Sequence, residues 1–275
     1  MEKAVFDELS RIIYEKSGIS LSDRKMALVS SRLSKRLRVT GLKTYEEYLE
    51  YLKSKEADDE IADFLDVIST NVTNFFREAS HFDQMLDAMN DWYNRGQRKF
   101  RLWSAACSSG EEPYTIAMML LENMPCHKLD IKILATDIST RVLNIAQKGV
   151  YEESRVTDIP PDFLKKYFTP VDGGKEKAYA VSGELKKMLI FRRLNLSEHP
   201  FPLTEIFDII FCRNVMIYFD RAVKEKLVED FSRLLRPDGY LMTGHSESLS
   251  CINHGFSMLS SAVYQKAALA SFTQR

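Results

Sequence analysis

Residues Phe100 to Pro113 read Phe-Arg-Leu-Trp-Ser-Ala-Ala-Cys-Ser-Ser-Gly-Glu-Glu-Pro. Small residues at Ser104, Ala105, Ala106, Ser108, Ser109 and Gly110 let a ligand come close to the backbone. Pro113 suits the first turn of a following helix. The segment is neither the G-x-G-x-x-G fingerprint of dinucleotide sites nor a phosphate-cradling P-loop. Glu111 and Glu112 at the helix start repel a pyrophosphate. They favour a ligand with a cationic end, such as the ammonium and sulfonium of S-adenosylmethionine. Taken alone, the segment also fits a plain surface turn. A second acidic position, Asp137, ends the apolar run Ile131 to Thr136. Such a residue can accept both hydroxyls of a ribose. It can also cap the next helix, a task for which Ser139 competes.

These residues need a frame to hold them. Strand and helix patterns alternate from Phe100 onward, with strands at 100–105, 131–136, 207–212 and 239–243 and helices between them. That alternation predicts an α/β fold: a doubly wound, Rossmann-like sheet with helices on both faces, binding its ligand at the carboxyl ends of the strands. Residues 1–70 carry only helical periodicity and read as a small all-helical domain, leaving 71–275 for the sheet domain. Lys175–Ala180 and Leu189–Leu194 read as strands of a small antiparallel β-insertion at about 168–194. Hydrophobic residues make up 45% and charged residues 28%, with a net charge of -1, so no global field marks a nucleic-acid or membrane binder. Met1-Glu2-Lys3-Ala4 lacks the apolar run of a signal peptide, and no run is long enough to span a bilayer. A cytoplasmic monomer is expected. The four cysteines show no C-x-x-C and no zinc spacing, so no metal is implied.

Further segments carry a resemblance. They are Thr70-Asn71-Val72-Thr73-Asn74-Phe75-Phe76-Arg77-Glu78, Asn195-Leu196, Cys212-Arg213-Asn214-Val215-Met216-Ile217-Tyr218-Phe219-Asp220, and Pro237-Asp238-Gly239 followed by Gly244-His245-Ser246-Glu247. With Ser104–Tyr114 and Ala135–Asp137, they resemble the chemotaxis receptor methyltransferases, the CheR family, in order and over nearly the whole chain. The resemblance implies methyl transfer from S-adenosylmethionine to glutamate side chains on the cytoplasmic helices of chemoreceptors, giving glutamate 5-methyl esters and S-adenosylhomocysteine. It implies that Asn71, Thr73 and Arg77 line the cofactor or the reacting centre. Glu112 then meets the methionine portion, Asp137 the ribose, and Asn195 and Leu196 the adenine. Asn214 and Val215 close the pocket, while Arg213 and Tyr218 face the methyl acceptor.

The chemistry agrees with the residue types. A glutamate carboxylate is already ionised at neutral pH, so no catalytic His or Cys is needed. What the site must supply is orientation. Arg77 can grip a carboxylate with two parallel hydrogen bonds, and Tyr218 can donate one. Arg77 can alternatively pair with Glu78, and Tyr218 can be a core aromatic. Phe75 and Phe76 suit either a cofactor cover or core packing, and His245 reads as a bystander.

Arg24, Lys25, Arg32, Lys35, Arg36 and Arg38 make the second helix basic. Arg32, Lys35 and Arg36 share a face by spacing, a docking surface for a Glu-rich receptor helix or an ordinary solvated face. The resemblance implies that the β-insertion matches an element which, in some members, binds a receptor tail peptide by strand addition. The turn Val171-Asp172-Gly173-Gly174-Lys175 lacks the Arg-Gly pair associated with that role. A methyltransferase for RNA or a small molecule would call for an Asn/Asp-Pro-Pro-Tyr clamp, where Arg213-Asn214-Val215-Met216 stands. A non-catalytic binding module is opposed by the presence of Arg77, Asp137 and Tyr218.

Overall fold

The computed structural model describes residues 1–54, 58–68, 73–172 and 177–267. Helices α1 (Lys3–Ser17), α2 (Met26–Thr40), α3 (Tyr45–Lys53) and α4 (Asp58–Ile68) open the chain. In α1, Val5, Phe6, Leu9, Ile12 and Ile13 share one buried stripe. Thr44 and Glu47 form a capping box at the start of α3. A 3-10 turn at Asp23–Lys25 leads into α2.

After α5 (Ser80–Asn94) come β1 (Lys99–Ala105), α6 (Glu111–Asn123), β2 (Asp130–Asp137), α7 (Thr140–Lys148) and β3 (Val150–Glu152). The chain continues through α8 (Pro161–Tyr167), β4 (Phe168–Asp172), β5 (Lys177–Val181), α9 (Gly183–Met188) and β6 (Leu189–Arg193). It ends with β7 (Phe207–Cys212), α10 (Arg221–Leu234), β8 (Leu235–Thr243), β9 (Phe256–Ser260) and β10 (Val263–Lys266). The large sheet is seven-stranded, in the order β6-β2-β1-β7-β8-β10-β9. It is parallel from β6 to β8, and β10 and β9 complete it in antiparallel fashion.

Every residue of β7 is buried, as befits a parallel strand covered on both faces. The two faces have separate cores. Phe100, Leu102, Ile133, Ile209, Phe211 and Met242 pack on the side of α5 and α6. Trp103, Ala105, Ile210, Cys212 and Leu241 pack on the other, with α10 and the N-terminal helices. Trp103 is fully buried, and its indole N–H donates to Thr136 Oγ1 at 2.9 Å. That bond avoids an orphaned buried donor, which would cost about 1–3 kcal/mol.

The small sheet differs from the sequence reading. It runs β3-β5-β4, antiparallel, between 150 and 181. Leu189–Arg193 is not part of it: this strand pairs in parallel with β2 at the edge of the large sheet. A short apolar run carries no mark of its partner. Within the small sheet β5 pairs with β4, which precedes residue 173. Residues 173–176, and Asn71, lie outside the described residues.

Candidate functional site

In this topology β1 is flanked by β2 and β7, whose connections run to opposite sides. A crevice must open at the carboxyl ends of these strands. A cleft of about 1020 Å³ of non-atom space, open to solvent, lies there. It is lined by Thr73, Arg77, Glu112, Asp137, Asn195, Leu196, Arg213, Asn214, Val215 and Tyr218, all singled out from the sequence.

The turn after β1 folds back on β2, because the N–H groups of Ala106 and Cys107 both donate to the Thr136 carbonyl at 2.8 Å. Ala106, Ser108 and Gly110 have φ of 72°, 49° and 98°. A Cβ on Gly110 would sit 2.8 Å from Ala146 Cβ, so both conformation and space require glycine. Gly110→Ala is expected to destabilise the fold by about 2 kcal/mol, read as a lower urea midpoint with an unchanged slope.

The two acidic residues that follow diverge. Glu111 turns away into the core, where burial pushes its carboxyl up and the Arg155 guanidinium opposes that shift. Arg155 and Tyr151 both hydrogen-bond Ser109, which fixes the turn from behind. Glu112 alone faces the cleft. It accepts from Ser104 Oγ at 2.6 Å and from Arg213 Nη1 at 2.9 Å.

Asp137 does not cap α7; Ser139 does, accepting from Val142 N at 3.2 Å. The Asp137 carboxylate instead accepts from Ser108 N at 2.8 Å and Ser139 N at 3.0 Å, which fixes its orientation at the cleft wall. Burial pushes the Cys107 thiol well up, so it is not a thiolate nucleophile at neutral pH.

Arg77 projects from a strained segment. Its neighbours Phe76 and Glu78 both have positive φ, 57° and 53°. Phe75 anchors the segment in the core, edge-on to Tyr151 and Phe168, while Phe76 packs on Phe82 and Phe163. Core packing, the bland alternative, therefore accounts for both rings.

Arg213, expected to face the acceptor, is heavily committed within the protein. Its side chain is only 2% exposed and is enclosed by Glu78, Glu112 and the Arg77 carbonyl. At the cleft wall the guanidinium joins the end of β7 to α6 and to the Arg77 segment. Burial pushes the Glu78 carboxyl up, but the charge and hydrogen bonds of Arg213, with Asn214, hold it below its usual range.

Asn195 is likewise occupied. Its amide donates to the Lys16 carbonyl and Glu198, both at 2.9 Å, and accepts from Ser197. Its side chain is thus committed, while Asn195 and Leu196 both line the cleft. Asn214 has φ 58°, held there by Glu247, whose carboxylate accepts from the N–H groups of Asn214, Gly244 and Ile217. Tyr218 sits in the 3-10 turn Met216–Tyr218, with Lys25 Nζ 5.2 Å from its ring centroid.

The basic residues of α2 and of the 3-10 turn before it are divided in role. Arg32 donates to the carbonyls of Val67 and Ile68, at 2.9 and 2.7 Å, capping α4. Arg36 pairs with Glu60 and Asp63. Arg24, Lys35 and Arg38 are exposed. Residues beyond the sequence reading also line the cleft. Ser17 and Ile19 arrive from the end of α1, and Ile19 bridges to Phe219. No local pattern marks them.

The cleft fits S-adenosylmethionine on its own evidence. Ser108 Oγ is buried, lines the cleft and has no hydrogen-bond partner among the described residues. Asp137 offers an oriented carboxylate beside it. Residues 4–69 match the CheR methyltransferase all-alpha domain, and residues 71–265 match the CheR methyltransferase SAM binding domain. The chain belongs to the CheR methyltransferase family. It is 43% identical over 270 residues to a chemotaxis protein methyltransferase of Borreliella burgdorferi, covering 94% of each chain. It is 39% identical over 264 residues to that of Escherichia coli, covering 96% of this chain and 91% of the other. A solved amino pentose methyltransferase from Micromonospora echinaspora, with S-adenosylmethionine bound, is 16% identical at a TM-score of 0.35, covering 60% of this chain and 48% of that one. That likeness is too slight to bear on the chemistry. This CheR chain is thus an S-adenosylmethionine-dependent methyltransferase of chemotaxis, as the resemblance implied. Among the described residues no helix is long and apolar enough to cross a membrane.

Proposed function

We propose that this CheR protein esterifies glutamate side chains on the cytoplasmic helices of chemoreceptors. The observation that carries the reading is Arg77, held at the cleft by a strained and anchored segment. Bound S-adenosylmethionine supplies an electrophilic methyl group on its sulfonium and leaves as S-adenosylhomocysteine. Asp137 binds the ribose hydroxyls, Glu112 the amino end, and Leu196 with the Asn195 backbone the adenine. Thr73, Asn214 and Val215 complete the wall. Arg77 and Tyr218 orient the acceptor carboxylate for in-line attack. Charge is lost as the anion meets the sulfonium, so excluding water accelerates the step. Arg213 acts through Glu112 and Arg77 as a positioning residue.

Incubation with methyl-labelled cofactor and chemoreceptor membranes tests the reading. Base-labile label on the receptor is expected, whereas base-stable label or label on RNA defeats it. Asp137→Ala removes charge-assisted bonds of about 3 kcal/mol in total, so the cofactor should bind about 100-fold more weakly by calorimetry.

Receptor docking falls to the exposed charges Arg24, Lys35 and Arg38, with Lys25 near Tyr218. Lys35→Glu combined with Arg38→Glu should raise the KM for receptor about fivefold at low salt and much less at high salt. An unchanged KM would place docking elsewhere.

A further inference from the structure

Behind the cleft lies a cluster that the methyl transfer does not use. Glu78, His81 in the first turn of α5, and His245 after β8 bring one ligand atom each within 4.8 Å of one another. The two imidazole rings meet edge to face at 4.9 Å. His81 is fully buried, yet neither ring nitrogen makes a hydrogen bond of good geometry. Its Nδ1 stands 3.5 Å from Glu78 Oε2, too far for a sound bond. Its contact with the Ser261 backbone also falls short of a well-formed hydrogen bond, and a buried polar ring so poorly bonded calls for an explanation.

We propose that Glu78, His81 and His245 form a site for a divalent transition-metal ion, with Zn²⁺ as its probe. Two imidazoles and one carboxylate are the donor set of open, three-ligand zinc sites, and they discriminate against Mg²⁺ and Ca²⁺, which want oxygen ligands. The ligand atoms must draw together by up to about 1.5 Å to reach tetrahedral zinc bonding distances. His245 is exposed and can make that adjustment.

The ion must also compete with Arg213, which lies 3.1 Å from Glu78 Oε2. Glu78 Oε1 is less committed, with Asn214 Nδ2 at 3.3 Å and the His245 N–H at 3.5 Å. The site therefore suits an exchangeable ion rather than a permanent one. Capturing Glu78 loosens Arg213, which also holds Glu112. The ion is thus coupled to the cofactor cleft.

The test is calorimetric titration of Zn²⁺ into the chelator-treated full chain, with the exposed Cys251 replaced by Ser throughout to remove a competing thiol. One saturable site is expected. His245→Ala should weaken it about tenfold or more, and Mg²⁺ should not compete. His254→Ala, outside the cluster, should leave it unchanged. Circular dichroism checks that His245→Ala is folded, and His245→Gln serves as a second variant of that position. The absence of saturable binding, or binding that survives both His245 variants, overturns the site.

Discussion

Arg213→Met is expected to lower the melting temperature by about 10 °C. Breaking a buried ion pair on one side costs about 3–5 kcal/mol, because the remaining charge stays buried. In a chain of this size each kcal/mol shifts the midpoint by about 2–4 °C. Two carboxylates lose their partner at once: Glu78 and Glu112, both 14% exposed, stand 3.1 and 2.9 Å from the guanidinium. Methionine fills much of the volume, so the loss reports charge rather than a cavity. The double variant Arg213→Met, Glu78→Gln should recover part of it, since one uncompensated charge is then gone. A small loss with no recovery would show that the two carboxylates reach water on their own. Cofactor affinity should fall in the single variant as well, because Glu112 is no longer held against the cleft.

That arrangement shows what the sequence could and could not disclose. The turn from Ser104 to Pro113 and the strand end at Asp137 were legible because their geometry is local: strand, tight turn and helix follow within a few residues. Arg213 lies at the cleft, as its motif suggested, but its ion pairs were not legible. Its partners Glu78 and Glu112 lie 135 and 101 residues away in the chain, and only packing brings them together. The same limit applies to α2, where spacing put Arg32 and Arg36 on one face. Spacing does not say which face a helix buries, and theirs packs on α4. Leu189–Arg193 failed similarly: its strand character was readable, but its neighbour β2 was not. The large parallel sheet was legible in outline because alternating strands and helices admit few arrangements.

The sequence also left open whether Arg77 holds the cofactor or the acceptor, and kinetics of Arg77 variants decide it. As an acceptor-orienting residue, Arg77→Ala should lower kcat about 1000-fold, while the calorimetric Kd for S-adenosylmethionine stays within about threefold. The size of the effect follows from the reaction. With an ionised acceptor and no proton to move, the protein's contribution is largely geometric, and a misplaced carboxylate loses most of it. Arg77→Lys should restore only a minor part, since a single ammonium cannot reproduce the fork that fixes a carboxylate plane. The segment should keep its shape in both variants, because Phe75 is locked in the core and the Arg77 carbonyl still accepts from Arg213. If cofactor affinity instead falls in step with kcat, Arg77 belongs to the cofactor wall with Asp137. If neither changes, Tyr218 and the receptor itself must fix the carboxylate.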